Sequence, residues 1–113
     1  MLLAALIIFA VAAVGGIVLA SFVLRGRFAP WLVGGLHALI AALGLVILVL
    51  ALLDHHTDAT RLYVSFGLLL SAALVGFGLG ALHMRKRLPP KAVVFAHAGL
   101  AVAGVITLLT LVV

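Results

Sequence analysis

Residues 25–53 read RGRFAPWLVGGLHALIAALGLVILVLALL, a short basic loop followed by an uncharged run that contains one histidine. A helix rises about 1.5 Å per residue, so about 20 residues cross a hydrocarbon core of about 30 Å. The uncharged run is long enough to do so, and it lacks the alternation of polar and apolar residues found in membrane-barrel strands. This stretch therefore predicts a transmembrane helix that begins directly after Pro30.

The rest of the chain contains three more runs of this kind. We predict transmembrane helices over residues 1–24, 31–53, 62–82 and 92–113. Because every connection between them is short, consecutive helices are expected to be antiparallel neighbours. The predicted fold is all-α, with residues 1–113 forming a single domain, an up-down four-helix bundle integral to the membrane.

The composition excludes the common classes of soluble protein. Of the 113 residues, 68% are apolar and 8% are charged, with a mean hydropathy of +1.55. Ordinary soluble domains carry about 45–50% apolar and about 25% charged residues, so a soluble enzyme, a nucleic-acid-binding module and a disordered tail are excluded. The absence of cysteine excludes disulfides, thiolate metal sites and covalently attached haem.

No Lys or Arg precedes the first run, which we interpret as a retained helix and not as a signal peptide.

The charged residues predict the orientation of the bundle. Both acidic residues, Asp54 and Asp58, lie in the second connection together with Arg61. The first and third connections carry the other basic residues, which are Arg25, Arg27, Arg85, Lys86, Arg87 and Lys91. By the positive-inside rule, loops 25–30 and 83–91 face the cytoplasm, while both termini and loop 54–61 face the other side. The expected location is the bacterial inner membrane, and the expected partner of these cations is the lipid surface, not nucleic acid.

The two halves of the sequence form an internal repeat. A shift of 60 residues aligns them without a gap, and several matches involve scarce residue types. These matches include Gly16 with Gly76, Arg25 with Arg85, Arg27 with Arg87, Pro30 with Pro90, His37 with His97 and Gly44 with Gly104. A shift of two helices preserves the direction of each helix. The bundle is therefore predicted to consist of two parallel helical-hairpin repeats related by an axis along the membrane normal.

His37 and His97 are the histidines that fall inside the predicted spans. Each lies seven residues beyond its matching proline, about 10 Å along the helix, so the two imidazoles are expected at one depth. Small residues share their helical faces: Gly34, Ala41 and Gly44 in the second helix, and Ala101 and Gly104 in the fourth. This pattern suits a porphyrin held between the helices, with each imidazole supplying one axial nitrogen to the iron. The cations that would pair with its propionates are Arg25, Arg27, Arg85, Arg87 and Lys91.

With histidines on its second and fourth helices, the chain resembles the four-helix, bis-histidine haem-binding core of membrane b-type cytochromes. Those of quinol-oxidising respiratory and photosynthetic complexes are the nearest comparison. That family core usually carries a second histidine on each ligand helix, and here His37 and His97 stand alone. The resemblance implies one haem b per chain and electron transfer between the quinone pool and a partner. Because the loops are too short to house a separate substrate site and no catalytic motif is present, we expect the chain to act within a larger redox complex or a homo-oligomer, and not as an enzyme on its own.

Other interpretations remain open from the sequence. The small residues also suit plain helix packing, and each histidine would then bond to a neighbouring carbonyl or serve a quinone or proton site. The chain would in that case be a haem-free accessory subunit of a larger membrane complex. A small transporter is a weaker alternative. The chain resembles the small multidrug-resistance exporters in length and helix number, but it contains no glutamate to match theirs in the first helix.

The sequence contains two further polar features. Asp54, His55, His56 and Asp58 are possible metal ligands, but a solvated turn is the favoured interpretation of this loop. His83 lies near the end of the third helix and is expected at the membrane interface, with contact to a propionate or a quinone as the alternative interpretation.

Overall fold

The computed structural model describes residues 1–54 and 58–113. It contains the helices α1 (Leu2–Leu24), α2 (Trp31–Asp54), α3 (Ala59–Met84) and α4 (Lys91–Val112). All four are long and apolar enough to cross a membrane, and no strand occurs in the described ranges. Each helix packs against two others, α1 and α3 both against α2 and α4. The predicted all-α, up-down membrane bundle is confirmed.

The two hairpins have matching turns. Gly26 (φ 72°) and Lys86 (φ 55°) occupy equivalent positions just after α1 and α3, in the left-handed conformation that commonly ends a helix. Pro30 and Pro90 precede α2 and α4, and their carbonyl oxygens accept the first backbone hydrogen bonds of those helices. The parallel repeat predicted from the sequence is therefore present in the backbone.

Helix α3 begins three residues before the predicted span 62–82. Asp58 caps its N-terminus, because Asp58 Oδ1 accepts hydrogen bonds from the backbone N–H groups of Thr60 (3.1 Å) and Arg61 (3.4 Å). Asp58 also forms an ion pair with Arg61, which contributes little because both side chains are exposed. The cap explains why the helix includes polar residues that hydropathy alone assigned to the loop.

The packed core lies at the end of the bundle that carries both chain termini, called here the terminal end. Its buried side chains come from all four helices and are Ala5, Phe9, Leu48, Ala51, Leu62, Leu69 and Leu108. Two glycines allow the helices to approach closely there. A Cβ atom on Gly44 would lie 2.7 Å from the Phe9 ring, and one on Gly104 would lie 2.6 Å from Leu69 Cγ. The opposite end, formed by loops 25–30 and 85–90 and called the basic-loop end, contains open space between the two hairpins.

A buried hydroxyl joins α3 to α4 in this core. Ser65 is fully buried, and its Oγ donates a hydrogen bond of 2.9 Å to the carbonyl oxygen of Gly104. We expect Ser65→Ala to lower the free energy of unfolding by about 0.6 kcal/mol, the average for such bonds between membrane helices. The change is small because the substitution removes one hydroxyl and its single hydrogen bond; alanine stands at the equivalent position, Ala5, in the first repeat.

Unfolding in mixed detergent micelles measures this effect. Ser71→Ala is the matched control, because Ser71 is exposed and bonds to Gly67 within its own helix. Equal loss of stability in both variants would contradict an interhelical role for Ser65.

Candidate functional site

His37 on α2 and His97 on α4 face each other across the bundle. Their ring centroids are 6.1 Å apart, and the ring planes are inclined at 75°. Imidazole nitrogens bind metal ions such as zinc at about 2.0–2.1 Å, so two imidazoles on opposite sides of one ion have centroids about 6 Å apart. The separation of the two rings would therefore allow both imidazoles to ligate one metal centre placed between them.

A hydrogen bond to the neighbouring helix of the same hairpin orients each imidazole. His37 Nδ1 lies 2.7 Å from the carbonyl oxygen of Ala12, and His97 Nδ1 lies 2.7 Å from that of Ala72. Because a carbonyl only accepts, the neutral ring carries its proton on Nδ1 and keeps the lone pair of Nε2. Metal-binding histidines are commonly oriented by such a bond. The arrangement leaves both Nε2 atoms available as ligands.

Each imidazole packs against a glycine, and the two glycines are equivalent in the repeat. A Cβ atom on Gly16 would lie 3.2 Å from His37 Cε1, and one on Gly76 would lie 3.0 Å from His97 Cε1. A larger residue at either position would press on the ring. These glycines were not among the predicted site residues, although their match across the repeat was a signal for them.

Two cavities lie on opposite sides of the histidine pair. The larger, about 720 Å³, extends toward the basic-loop end, and the smaller, about 200 Å³, extends toward the terminal end. Both are lined by His37 and His97 and otherwise almost entirely by apolar residues. The larger cavity is within the range of ligand pockets, which span about 300–1,000 Å³. The pair thus has room for a flat molecule on both sides.

The small residues predicted for the site fall into two groups. Gly34, Ala41 and Ala101 line the larger cavity. Gly44 and Gly104 are buried beside Phe9 and Leu69 and do not line it. Gly44 and Gly104 therefore leave space for the Phe9 and Leu69 side chains.

The predicted cations are all exposed at the basic-loop end; they are Arg25, Arg27, Arg85, Arg87 and Lys91. Arg25 is directed toward its own helix, because its Nε donates to the carbonyl oxygen of Ser21 (2.8 Å) and its guanidinium lies 5.3 Å from the Phe22 ring. His83 lines the larger cavity and has its ring centroid 5.8 Å from that of Phe28.

Asp54 and Asp58 lie at the terminal end of the bundle, where α2 ends and α3 begins. His55 and His56 fall outside the described residues, so the predicted turn is described only by Asp54 and Asp58. Within residues 1–54 and 58–113, no group of three or more histidine or carboxylate side chains could hold a metal ion. A haem iron needs no such group, because the macrocycle supplies four nitrogens and the protein supplies the axial ligands. Two imidazoles that keep Nε2 available would therefore suffice for that cofactor, whereas a bare ion would need further protein ligands than these two.

Comparison of the chain with protein-family models, curated proteins and solved structures finds no match. The geometry of the histidine pair therefore carries the functional interpretation.

Proposed function

We propose that this chain is a small membrane b-type cytochrome that binds one haem b through His37 and His97. The observation that carries the proposal is the pairing of the two imidazoles, 6.1 Å apart, each held at Nδ1 by a backbone carbonyl. A histidine with a purely structural role needs only that hydrogen bond. It does not need a second histidine at the same depth. Two such histidines facing each other favour a shared ligand between them.

The surrounding residues support binding of an amphiphilic macrocycle. The cavities provide an apolar slot on both sides of the pair, and the exposed cations of the basic-loop end would pair with the propionates. The bound haem would supply one-electron redox chemistry. With the basic-loop end in the cytoplasm of a bacterial cell, the site lies about 10 Å from that face.

The site has a place for one haem. The terminal halves of α2 and α4 carry no further histidine, and side chains fill the bundle there. Electrons therefore need a second carrier to cross the membrane. We accordingly propose that the chain passes electrons between the quinone pool and a partner protein, as a subunit of a larger redox complex or in a homo-oligomer.

Anaerobic mixing of the haem-loaded protein with a short-chain quinol tests this role. We expect absorbance changes that reach a substantial part of those produced by dithionite. Haem that dithionite reduces but that neither ubiquinol nor menaquinol analogues reduce would contradict electron exchange with quinones. Stoichiometric co-purification with a membrane complex, but without haem, would instead favour the accessory-subunit function.

The close contact between Gly76 and the His97 ring provides a separate prediction. Gly76→Ala places a methyl group about 3.0 Å from His97 Cε1, so the imidazole must shift. Overpacking of this kind costs about 1–3 kcal/mol, and we expect haem affinity to fall about tenfold or more.

Titration of haem into detergent-solubilised protein, followed in the Soret band, measures this affinity. Gly78→Ala is the control in the same helix, because no atom lies within 4 Å of its added Cβ. Equal haem affinities in the two variants would contradict a role for Gly76 in positioning the His97 imidazole.

A further inference from the structure

Two equivalent side chains form a floor beneath the histidine pair. Phe9 on α1 and Leu69 on α3 occupy matching positions in the repeat, and both are buried, with 6% and 4% of their surfaces exposed. Both line the smaller cavity, which the histidine pair also lines. They therefore close the space between the pair and the packed core.

Because of the floor, the cavities on the two sides of the histidine pair differ in volume. About 200 Å³ lies between the pair and the floor, compared with about 720 Å³ toward the basic-loop end. A haem with its carboxylates directed toward the cations of the basic-loop end must place the opposite edge of the macrocycle in the smaller space. Substituents on that edge would contact Phe9 and Leu69.

The side chains of the floor have little space to move toward the packed core. Phe9 already rests against Gly44 and Leu69 against Gly104, at distances so short that even a Cβ atom could not be added to either glycine. Behind them lies the close-packed core with the fully buried Leu48 and Leu108. Added volume in such a core forces side chains out of their preferred rotamers and shifts the backbone.

We propose, on the basis of the proposed haem function, that Phe9 and Leu69 determine which haem the chain accepts. The floor admits haems with short substituents on the edge opposite the propionates, such as the vinyl groups of haem b. It rejects haems that carry a long isoprenoid chain on that edge. Phe9 and Leu69 are thus specificity-determining residues that contact neither the iron nor its ligands.

Parallel titrations with haem b and with haem o, which carries a farnesyl-bearing substituent in place of one vinyl group, test this inference. The measured quantity is the ratio of the two dissociation constants. We expect the unmodified chain to bind haem b at least about tenfold more tightly than haem o, the cost of modest overpacking. Phe9→Ala and Leu69→Ala should reduce this ratio several-fold, mainly by improving the binding of haem o.

Two further variants keep the test decisive. Phe9→Leu retains a filled core and should give an intermediate ratio, so it serves if the alanine variants do not fold. Phe95→Ala removes an exposed phenylalanine that lines neither cavity and should leave the ratio unchanged. Low-spin haem b binding verifies that each variant is folded with its histidine pair intact.

The outcomes separate this inference from the proposed function. Equal binding of the two haems by the unmodified chain would overturn the inference while leaving haem binding established. Strong discrimination that persists in all three floor variants would also overturn it, because selection would then occur elsewhere. Failure to bind either haem would overturn the proposed function and the inference together.

Discussion

Replacing His97 by alanine is expected to abolish the six-coordinate, low-spin haem spectrum that the proposed function predicts for this protein. The variant keeps His37 and its hydrogen bond to Ala12, so one imidazole remains and we expect any haem that still binds to be high-spin. Loss of a second-shell partner alone costs a metal site about 10–100-fold in affinity. We therefore expect loss of the ligand itself to weaken haem binding at least about 100-fold. His37→Ala should behave in the same way, because the repeat makes the two sites equivalent.

His83→Ala is the control for this prediction. His83 lines the same cavity and packs against Phe28, but it lies outside the pair. Its variant should retain a low-spin spectrum and an affinity within a few-fold of the unmodified chain. A normal low-spin spectrum in His37→Ala or His97→Ala would show that these residues are not the ligands.

The second large effect is expected at Gly104. An alanine Cβ there would lie 2.6 Å from Leu69 Cγ and 3.2 Å from the Leu69 backbone nitrogen. The buried Leu69 side chain has little space to move and its backbone has none, so α3 and α4 must separate. We expect Gly104→Ala to lower the free energy of unfolding by about 1–3 kcal/mol.

The same helix supplies the control for this substitution. No atom lies within 4 Å of a Cβ added to Gly99, and Gly99→Ala should change stability little or raise it slightly, because alanine favours the helix. Unfolding of both variants in mixed micelles gives the comparison. If Gly104→Ala is as stable as Gly99→Ala, the close approach of the two helices is wrong.

Much of the architecture could be predicted because it depends on length, hydropathy and repetition. A run of uncharged residues long enough to cross a membrane predicts a helix, and the match of His37 with His97 predicts two rings at one depth. Where the prediction of α3 fell short, a short-range polar interaction decided the boundary. Asp58 caps the helix through hydrogen bonds that a hydropathy window does not measure.

The finer details of the site depend on three-dimensional neighbours. Gly44 and Gly104 lie on the histidine faces of their helices, seven residues from His37 and His97. Helical periodicity predicts the direction in which a residue points, but not which side chain lies opposite it two turns farther along. Phe9 and Leu69 fill those positions. The acceptors that orient the imidazoles are backbone carbonyls, which every residue carries, so the residue type at Ala12 and Ala72 does not identify them as hydrogen-bond acceptors.

A dithionite-reduced minus oxidised absorption spectrum of the detergent-purified chain, with a pyridine haemochrome assay, tests the central claim most directly. The protein is produced with ample haem, and the His37→Ala/His97→Ala double variant serves as the blank. The proposed function predicts a sharp, low-spin b-type α band and one haem b per chain, both lost in the double variant. A flat difference spectrum from the folded protein, or an equal haem content in the double variant, would contradict it.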